Sequence, residues 1–224
     1  MSRVIVVGAG PAGLMAADVI AAAGHHVTLV DHMSSVGRKL LMAGRGGLNL
    51  THTERRDGFL SRYGAAAERL EPAIEAFPPS ALRDFARDLG VETFVGTSGR
   101  VFPCAFKASP LLRAWLRRLA DLGVETRTRL RWIGFRDGEP LFREADGSTT
   151  TLPADAVVLA LGGASWPRLG SDGGWTTILG DLGIAVEPLR PTNCGFVVPW
   201  SDVFRARFEG QPLKRVAIRF DGLV

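Results

Sequence analysis

Cysteine is scarce: the 224-residue chain has only two, Cys104 and Cys194. They are far apart and form neither a CxxC pair nor a His-spaced motif, which argues against a disulfide framework and a zinc site. The four histidines also lack a metal-ligand spacing. We therefore expect no metal, two thiols that pack inertly, and a reducing, cytoplasmic setting.

Lysine is almost as rare, since Lys39, Lys107 and Lys214 are the only three, and arginine carries most of the formal charge of +4. Arginine stays protonated and binds phosphate in a bidentate manner, which suits an anionic partner. Most arginines, however, recur at the spacing of one face of a helix or of a strand, which is typical of solvent-exposed faces. We therefore expect no nucleic-acid partner, with a polyanion-binding surface as the alternative.

A long hydrophobic run is also lacking. The apolar stretch 4–23 is interrupted by three glycines and a proline and contains Asp18. These interruptions are typical of a strand followed by a helix, and they argue against a signal peptide or a membrane span. No membrane association is expected.

Glycine, by contrast, is abundant, with 27 residues, and GAGPAG at 8–13 has a specific spacing. In a G-x-G-x-x-G turn, Gly8 permits the tight turn, Gly10 lets a pyrophosphate approach the backbone, and Gly13 lets the helix pack closely. With Pro11 and Ala12, these glycines open a helix whose free N–H groups can hold a diphosphate. A glycine-rich turn without a ligand is the alternative.

Asp31 supports the ligand hypothesis. It follows the buried strand pattern 27–30 and lies 18 residues after Gly13. A carboxylate at the end of the second strand can accept both hydroxyl groups of an adenosine ribose, and it repels a 2′-phosphate. The pattern therefore predicts a dinucleotide other than NADP.

The order of the later elements favours FAD over NAD. A classical NAD domain would continue as βαβαβ, whereas this chain passes through helical patterns around 65–77 and 80–89, a hairpin at 91–103 and a helix capped by Ser109. Three strands near 124–130, 132–136 and 140–143 follow and predict an antiparallel meander. The sheet resumes at DAVVLALGG, residues 155–163. We predict an α/β fold with a Rossmann-like FAD-binding domain of the two-dinucleotide-binding-domain flavoprotein type.

Two further segments are candidate cofactor contacts. GRKLLMAGRGGLNLT at 37–51 is a basic, glycine-rich loop in which Arg38 and Lys39 could offset diphosphate charge. In LGGASWPRLGSDGGW at 161–175, Gly162 and Gly163 permit close backbone contact. Either segment could instead be a purely structural turn.

These motifs together resemble a bacterial flavoprotein family. GAGPAG, GRKLLMAGRGGLNLT, SGRVFP with KAS, LGGASWPRLGSDG and PTNCGF occur in the order typical of BaiN/RdsA-type NAD(P)/FAD-dependent oxidoreductases, also described as aminoacetone-oxidase-like flavoproteins. The resemblance covers essentially the whole chain. Many members have GRCN where this chain has the sequence GGLN at 46–49, so it represents a divergent branch.

The resemblance implies an FAD domain that an insertion interrupts. We expect residues 1–189 to form the N-terminal, incomplete part of the FAD-binding domain, and residues 190–224 to begin a β-rich insertion domain. The C-terminal segment that returns to complete the FAD-binding domain is expected to lie outside this chain. The end of the basic loop from Gly46 to Thr51 would lie near the isoalloxazine ring. The full set of candidate cofactor-binding residues is Gly8, Gly10, Pro11, Ala12, Gly13, Asp31, Arg38, Lys39, Gly46, Gly47, Asn49, Thr51, Gly162 and Gly163.

The implied activity is flavin-mediated hydride transfer, with FAD as cofactor and NAD(P)H as co-substrate. The organic substrate, the catalytic residues and the oligomeric state stay unknown. Two alternatives are open: an oxygen-using enzyme of the amine-oxidase type, and a flavoprotein that acts on RNA.

Overall fold

The computed structural model describes residues 1–191 and 197–211. Contacts divide the chain into two units, Met1–Leu189 and Arg190–Val224. The strands of the first unit are β1 Arg3–Val7, β2 His26–Asp31, β3 Thr51–His52, β4 Thr93–Val95, β5 Arg100–Pro103, β6 Glu125–Thr128, β7 Arg131–Arg136, β8 Glu139–Arg143, β9 Thr149–Thr151 and β10 Ala156–Leu159. Its helices are α1 Pro11–Ala22, α2 Arg38–Ala43, α3 Arg56–Ser61, α4 Ala67–Ala76, α5 Pro79–Asp88, α6 Ala108–Asp121 and α7 Trp175–Asp181.

A four-stranded parallel sheet forms the centre of the first unit, in the order β10-β1-β2-β6. Val7 at the end of β1 pairs with Val30 of β2 and with Leu159 of β10. The chain moves from β1 to β2 and β6 on one side and then returns to place β10 on the other side of β1. This reversal creates a crevice at the carboxyl ends of the strands, where α/β sheets bind ligands. The predicted βαβ unit and Rossmann-like fold class are confirmed.

One face of this sheet is covered by α1 and α6. Val6 and Leu29 are completely buried there against Leu14 of α1 and Trp115 of α6. Strands buried on both faces read as nearly continuous apolar runs, which explains why β1 and β2 lack an alternating pattern. The buried Asp18 strengthens this layer, because its carboxylate accepts hydrogen bonds from Trp115 Nε1 at 3.0 Å and Arg118 Nε at 2.9 Å.

The opposite face is covered by the meander. Ile5 and Val30 pack there against Trp132 and Phe142. The predicted meander is present but its first strand was assigned wrongly, because β6 joins the parallel sheet beside β2 and the antiparallel sheet consists of β7, β8 and β9. The sequence interpretation missed β9, whose three threonines carry no apolar alternation.

The hairpin of β4 and β5 is confirmed, and β3 adds a third strand to it. Two local predictions were wrong. The basic segment was predicted to be a loop, but Gly37 in a left-handed conformation (φ 66°) is followed by the helix α2. Ser109 was predicted to cap α6, whereas the helix already begins at Ala108 and its N-cap is Lys107.

The second unit contains the helix α8, Asp202–Phe208, capped by Ser201, whose Oγ accepts from Phe204 N–H at 3.2 Å. The β structure predicted from Arg205 onward is therefore wrong for residues 205–208. The remaining β prediction falls partly on residues 192–196 and 212–224, outside the described residues, as does Cys194. Cys104 is exposed instead of packed. Within the described ranges, no helix is both long and apolar enough to cross a membrane.

Candidate functional site: a cleft at the carboxyl edge of the sheet

The glycine-rich turn lies at the carboxyl end of β1, and each glycine has a different environment. A Cβ at Gly8 would overlap the carbonyl oxygen of Ala160, and one at Gly13 would overlap that of Gly8. A Cβ at Gly10 would meet no atom of the described residues within 4 Å. Gly8 and Gly13 are therefore required by packing, whereas Gly10 leaves open space in front of the first turn of α1.

This open space belongs to a cleft of about 520 Å³. Ligand pockets for cofactors and drug-sized molecules commonly measure about 300–1,000 Å³. The cleft lies at the reversal of strand order and is lined by the ends of β1 and β2, the segment directly after β10, the start of β7, and parts of α1, α2 and α7. Among the candidate cofactor-binding residues, the lining includes Gly8, Gly10, Pro11, Ala12, Asp31, Arg38, Lys39 and Gly162.

Asp31 connects the glycine-rich turn to β2. Its Oδ2 accepts from the N–H of Ala9 at 2.8 Å, and its Oδ1 accepts from the N–H of Met33 at 2.8 Å. The side chain is 14% exposed. Because an ionised carboxylate has about four acceptor positions, it retains capacity for two hydroxyl donors. Asp31 can thus fix the turn and still bind a ligand in the cleft.

Lys39 reaches from α2 to the segment after β10. Its Nζ donates to Ser165 Oγ at 2.7 Å and to Ser171 Oγ at 3.3 Å. Ser171 is 4% exposed, and its hydroxyl donates to the carbonyl of Gly163 at 2.6 Å. Lys39 forms no ion pair with any residue in 1–191 or 197–211. Its charge is therefore available to an anion in the cleft.

The segment after β10 is held by its own hydrogen bonds. Trp175 Nε1 donates to the carbonyl of Gly162 at 3.0 Å, and Gly174 N–H donates to Asp172 Oδ1 at 3.1 Å. The Gly174 N–H and the guanidinium of Arg131, 3.1 Å away, hold the pKa of Asp172 below its usual range. The carboxylate therefore stays ionised and keeps Arg131 beside the cleft.

The second half of the basic segment is not part of this lining. Gly46 and Asn49 are exposed, Gly47 lies under the ring of Phe106, and Thr51 pairs with Val101 in the small antiparallel sheet. Gly163 also lies outside the lining, and its carbonyl accepts the hydrogen bond from the Ser171 hydroxyl. The contact of Gly46, Gly47, Asn49 and Thr51 with a flavin ring stays a prediction.

Among the lining residues that the sequence interpretation missed are His32 and Trp132. His32 Nε2 and Trp132 Nε1 are buried and have no hydrogen-bond partner among the described residues. Burial lowers the pKa of His32, and the nearby Arg131 lowers it further. His32 is therefore uncharged at neutral pH. No sequence motif marks these two residues, because the segments that carry them meet only in the folded chain, where the Leu130 N–H donates to the Asp31 carbonyl.

The residues of the cleft fit a dinucleotide. The open face at Gly10 and the first-turn N–H groups of α1 suit a diphosphate. Lys39 supplies a cation that has no carboxylate partner among residues 1–191 and 197–211, and Asp31 retains acceptor capacity. The chemistry of these groups suits a diphosphate beside a ribose.

Comparison with known proteins identifies the family to which the chain belongs. A family model described as the HI0933-like protein Rossmann domain matches residues 2–201. The 3-dehydro-bile acid delta(4,6)-reductase of Clostridium scindens is 29% identical over 194 residues, which cover 85% of this chain and 46% of that protein. The ribosomal RNA dihydrouridine synthase of Escherichia coli is 28% identical over 187 residues, 83% of this chain and 46% of that protein.

The fold is also found in a solved flavoprotein structure. The open conformation of a flavocytochrome c3 fumarate reductase has a TM-score of 0.54 and 18% identity, covering 81% of this chain and 40% of that one. The chain spans about half the length of the curated relatives it matches. The family resemblance inferred from the motifs is confirmed, and the chain belongs to the HI0933-like Rossmann-domain family.

Proposed function

We propose that this chain supplies the nucleotide-binding part of an FAD-dependent oxidoreductase. The observation that carries the proposal is the open face at Gly10, which lies at the N-terminus of α1, at the reversal of strand order, and in one cleft with Asp31 and Lys39. FAD would supply the hydride and electron transfer. The protein would bind the cofactor, hold it in position and exclude water from it.

Each residue has a specific part in this proposal. The first-turn N–H groups of α1 and the Lys39 ammonium group bind the diphosphate, and Asp31 accepts the two ribose hydroxyls. The carboxylate of Asp31 disfavours a 2′-phosphate at this position by charge repulsion. Ser165 and Ser171 orient Lys39 through their hydroxyl oxygens.

FAD is favoured over NAD as the resident nucleotide for two reasons. Helices and one antiparallel sheet separate β2 from β6, and a second antiparallel sheet separates β6 from β10, as in two-dinucleotide-binding-domain flavoproteins. The structurally similar flavocytochrome is a flavoprotein by name. We propose NAD(P)H as the reductant and an unsaturated organic compound as the acceptor, because one relative is named as a reductase.

An RNA base is a second candidate acceptor, supported by the name of the Escherichia coli relative. Arginine carries most of the net positive charge of the chain, and phosphate contacts would make such binding strongly dependent on salt. A filter-binding titration with ribosomal RNA at two salt concentrations tests this candidate. Affinity that does not fall with salt would argue against it.

The main test is anaerobic mixing of the flavin-loaded protein with NADH and, separately, with NADPH. The proposal predicts that at least one of them bleaches the oxidised flavin absorbance near the turnover rate of the enzyme. If neither does, while an amine substrate does, the oxygen-using alternative replaces the reductase. The proposed cytoplasmic location is tested separately by fractionation of the producing cells.

A further inference from the structure

A second cavity lies among the helices α3, α4 and α5 and the end of β3. Its volume is about 500 Å³, close to that of the nucleotide cleft, and the two linings share no residue among those that the structure describes. A cavity of this size can enclose a small organic ligand. The proposed FAD site gives it no role.

Arg83 is a cation in the wall of this cavity that has no acidic partner. It is half-buried on α5, and its Nε makes a long contact of 3.5 Å to Thr93 Oγ1. Its terminal N–H groups have neither an ion pair nor a hydrogen bond with any residue in 1–191 or 197–211. A guanidinium stays charged at every relevant pH, and its terminal groups match the two oxygens of a carboxylate. The terminal groups of Arg83 are therefore available to an anionic ligand.

The two acidic residues of the lining are already paired. Glu54 accepts from Arg62 Nε, and Glu75 shares the guanidinium of Arg56 with Glu71. Arginines other than the one on α5 thus offset the charge that would repel an anion. The guanidinium on α5 is left to a ligand.

The wall of the cavity is polar at α5 and apolar elsewhere. Ser80 precedes Arg83 by three positions on α5, so the two side chains lie on the same face of the helix, and both line the cavity. The Ser80 hydroxyl can donate to the same anion as Arg83. The apolar part of the wall comes from Phe59, Ile74, Pro78 and Pro79. Such a wall suits a ligand with one charged end and an apolar body.

We propose that this cavity binds a small organic acid, with its carboxylate held by Arg83 and Ser80 and its apolar body against Phe59 and Ile74. Arg83 and Ser80 are binding residues. The site is separate from the nucleotide cleft, and binding of the acid does not require a flavin.

The test is isothermal titration of the full chain with three probes: 4-phenylbutyrate, its amide 4-phenylbutyramide, and acetate. We expect saturable binding of 4-phenylbutyrate. The amide has nearly the same shape without the charge, so it should bind about tenfold more weakly. Acetate has the charge without the apolar body, and it should bind more weakly as well.

Substitutions on α5 assign the binding to this cavity. Arg83→Leu should raise the dissociation constant for 4-phenylbutyrate by about 10- to 100-fold, the range for a hydrogen bond to a charged group. Ser80→Ala should raise it by about 3- to 10-fold. Arg87→Leu is the matched control, because Arg87 lies on the same helix, is exposed, pairs with Asp84 and is outside the lining. It should leave the constant unchanged.

A thermal melt of each unliganded variant checks that the fold is kept. If Arg83→Leu is unfolded, Arg83→Gln takes its place, because glutamine keeps a donor for Thr93. Equal affinity for the acid and the amide, unchanged binding of the acid in the Arg83 variant, or no saturable binding by the unmodified chain would each overturn the inference.

Lys39→Met distinguishes the cavity from the nucleotide cleft. It should leave the affinity for 4-phenylbutyrate unchanged; loss of binding in Lys39→Met but not in Arg83→Leu would place the acid in the cleft and overturn the inference. The proposed function fails separately. If the unmodified chain binds the acid through Arg83 but does not bind FAD, the acid site is retained and the flavin is rejected.

Discussion

Gly10→Val is expected to separate cofactor binding from folding. The backbone of Gly10 is extended (φ −83°, ψ −176°), a region open to any residue, and no described atom lies within 4 Å of an added Cβ. Gly10 is the N-cap of α1, and replacing a glycine there by an apolar residue costs about 1 kcal/mol or less. The melting temperature should therefore fall by only about 2–4 °C.

The effect on FAD should be far larger. Valine would occupy the space in front of the first turn of α1, where the diphosphate is proposed to accept backbone N–H groups. A hydrogen bond to a charged group contributes about 1.5–3 kcal/mol, and about 1.4 kcal/mol corresponds to tenfold in affinity. Losing two such bonds should weaken FAD binding by about a hundredfold or more.

The assay is quenching of flavin fluorescence during titration with FAD, combined with a thermal melt of the same sample. Gly180→Val is the matched control, because Gly180 lies in α7 outside the cleft lining and an added Cβ there would also meet no described atom within 4 Å. Gly13→Ala is the opposite control: its Cβ would overlap the Gly8 carbonyl oxygen, so it should impair folding itself. Equal FAD affinity in Gly10→Val and the unmodified chain would refute the placement of the diphosphate.

Three further changes follow from the described contacts. Lys39→Met should weaken FAD binding about tenfold and make the affinity for FAD less dependent on salt. Titrations at two ionic strengths measure this, and an unchanged salt dependence would exclude a contact between Lys39 and the diphosphate. Asp18→Ala should lower the free energy of unfolding by about 2 kcal/mol in urea melts, because Trp115 Nε1 loses its acceptor, whereas Asp18→Asn should cost less; equal values would contradict this role. The pKa of His32 is lower in the folded protein than in the unfolded chain. As the pH falls below about 6.5, the unfolded chain therefore binds a proton before the folded protein does, and the free energy of unfolding should decrease. The decrease should level off below the folded-state pKa, where both states carry the proton. His32→Leu should flatten this part of the profile of melting temperature against pH, and an identical profile would show that another group is responsible.

The parts of the fold that depend on local geometry could be predicted from the sequence. The β1-α1-β2 unit and the packing requirements of Gly8 and Gly13 follow from the spacing of the turn alone, whereas the role of Gly10 in binding stays a prediction. Helix α2 was missed because Gly37, Gly44 and the adjacent cations were interpreted as signs of a loop. The centre of the segment, LLMA, consists of ordinary helix-forming residues.

The parts that depend on pairing between distant segments could not be predicted. Whether β6 joins the meander or the parallel sheet depends on its partner, since a short strand carries no information about its register. The same pairing brings Leu130 to Asp31, so that segments about 100 positions apart in the chain both line the cleft. The hydroxyls that hold Lys39 likewise come from the segment after β10, which meets α2 only in the folded chain.

The most direct test is the identity and amount of nucleotide that the purified protein, with this chain and the expected returning segment together, binds from an equimolar mixture of FAD, FMN and NAD. After removal of unbound ligand, the protein is denatured and the released nucleotides are separated and quantified. The account predicts FAD at close to one per chain, with little FMN or NAD, and loss of this FAD in Gly10→Val. Retention of NAD in preference to FAD, or of equal FAD by Gly10→Val, would contradict the claim that this cleft is an FAD site.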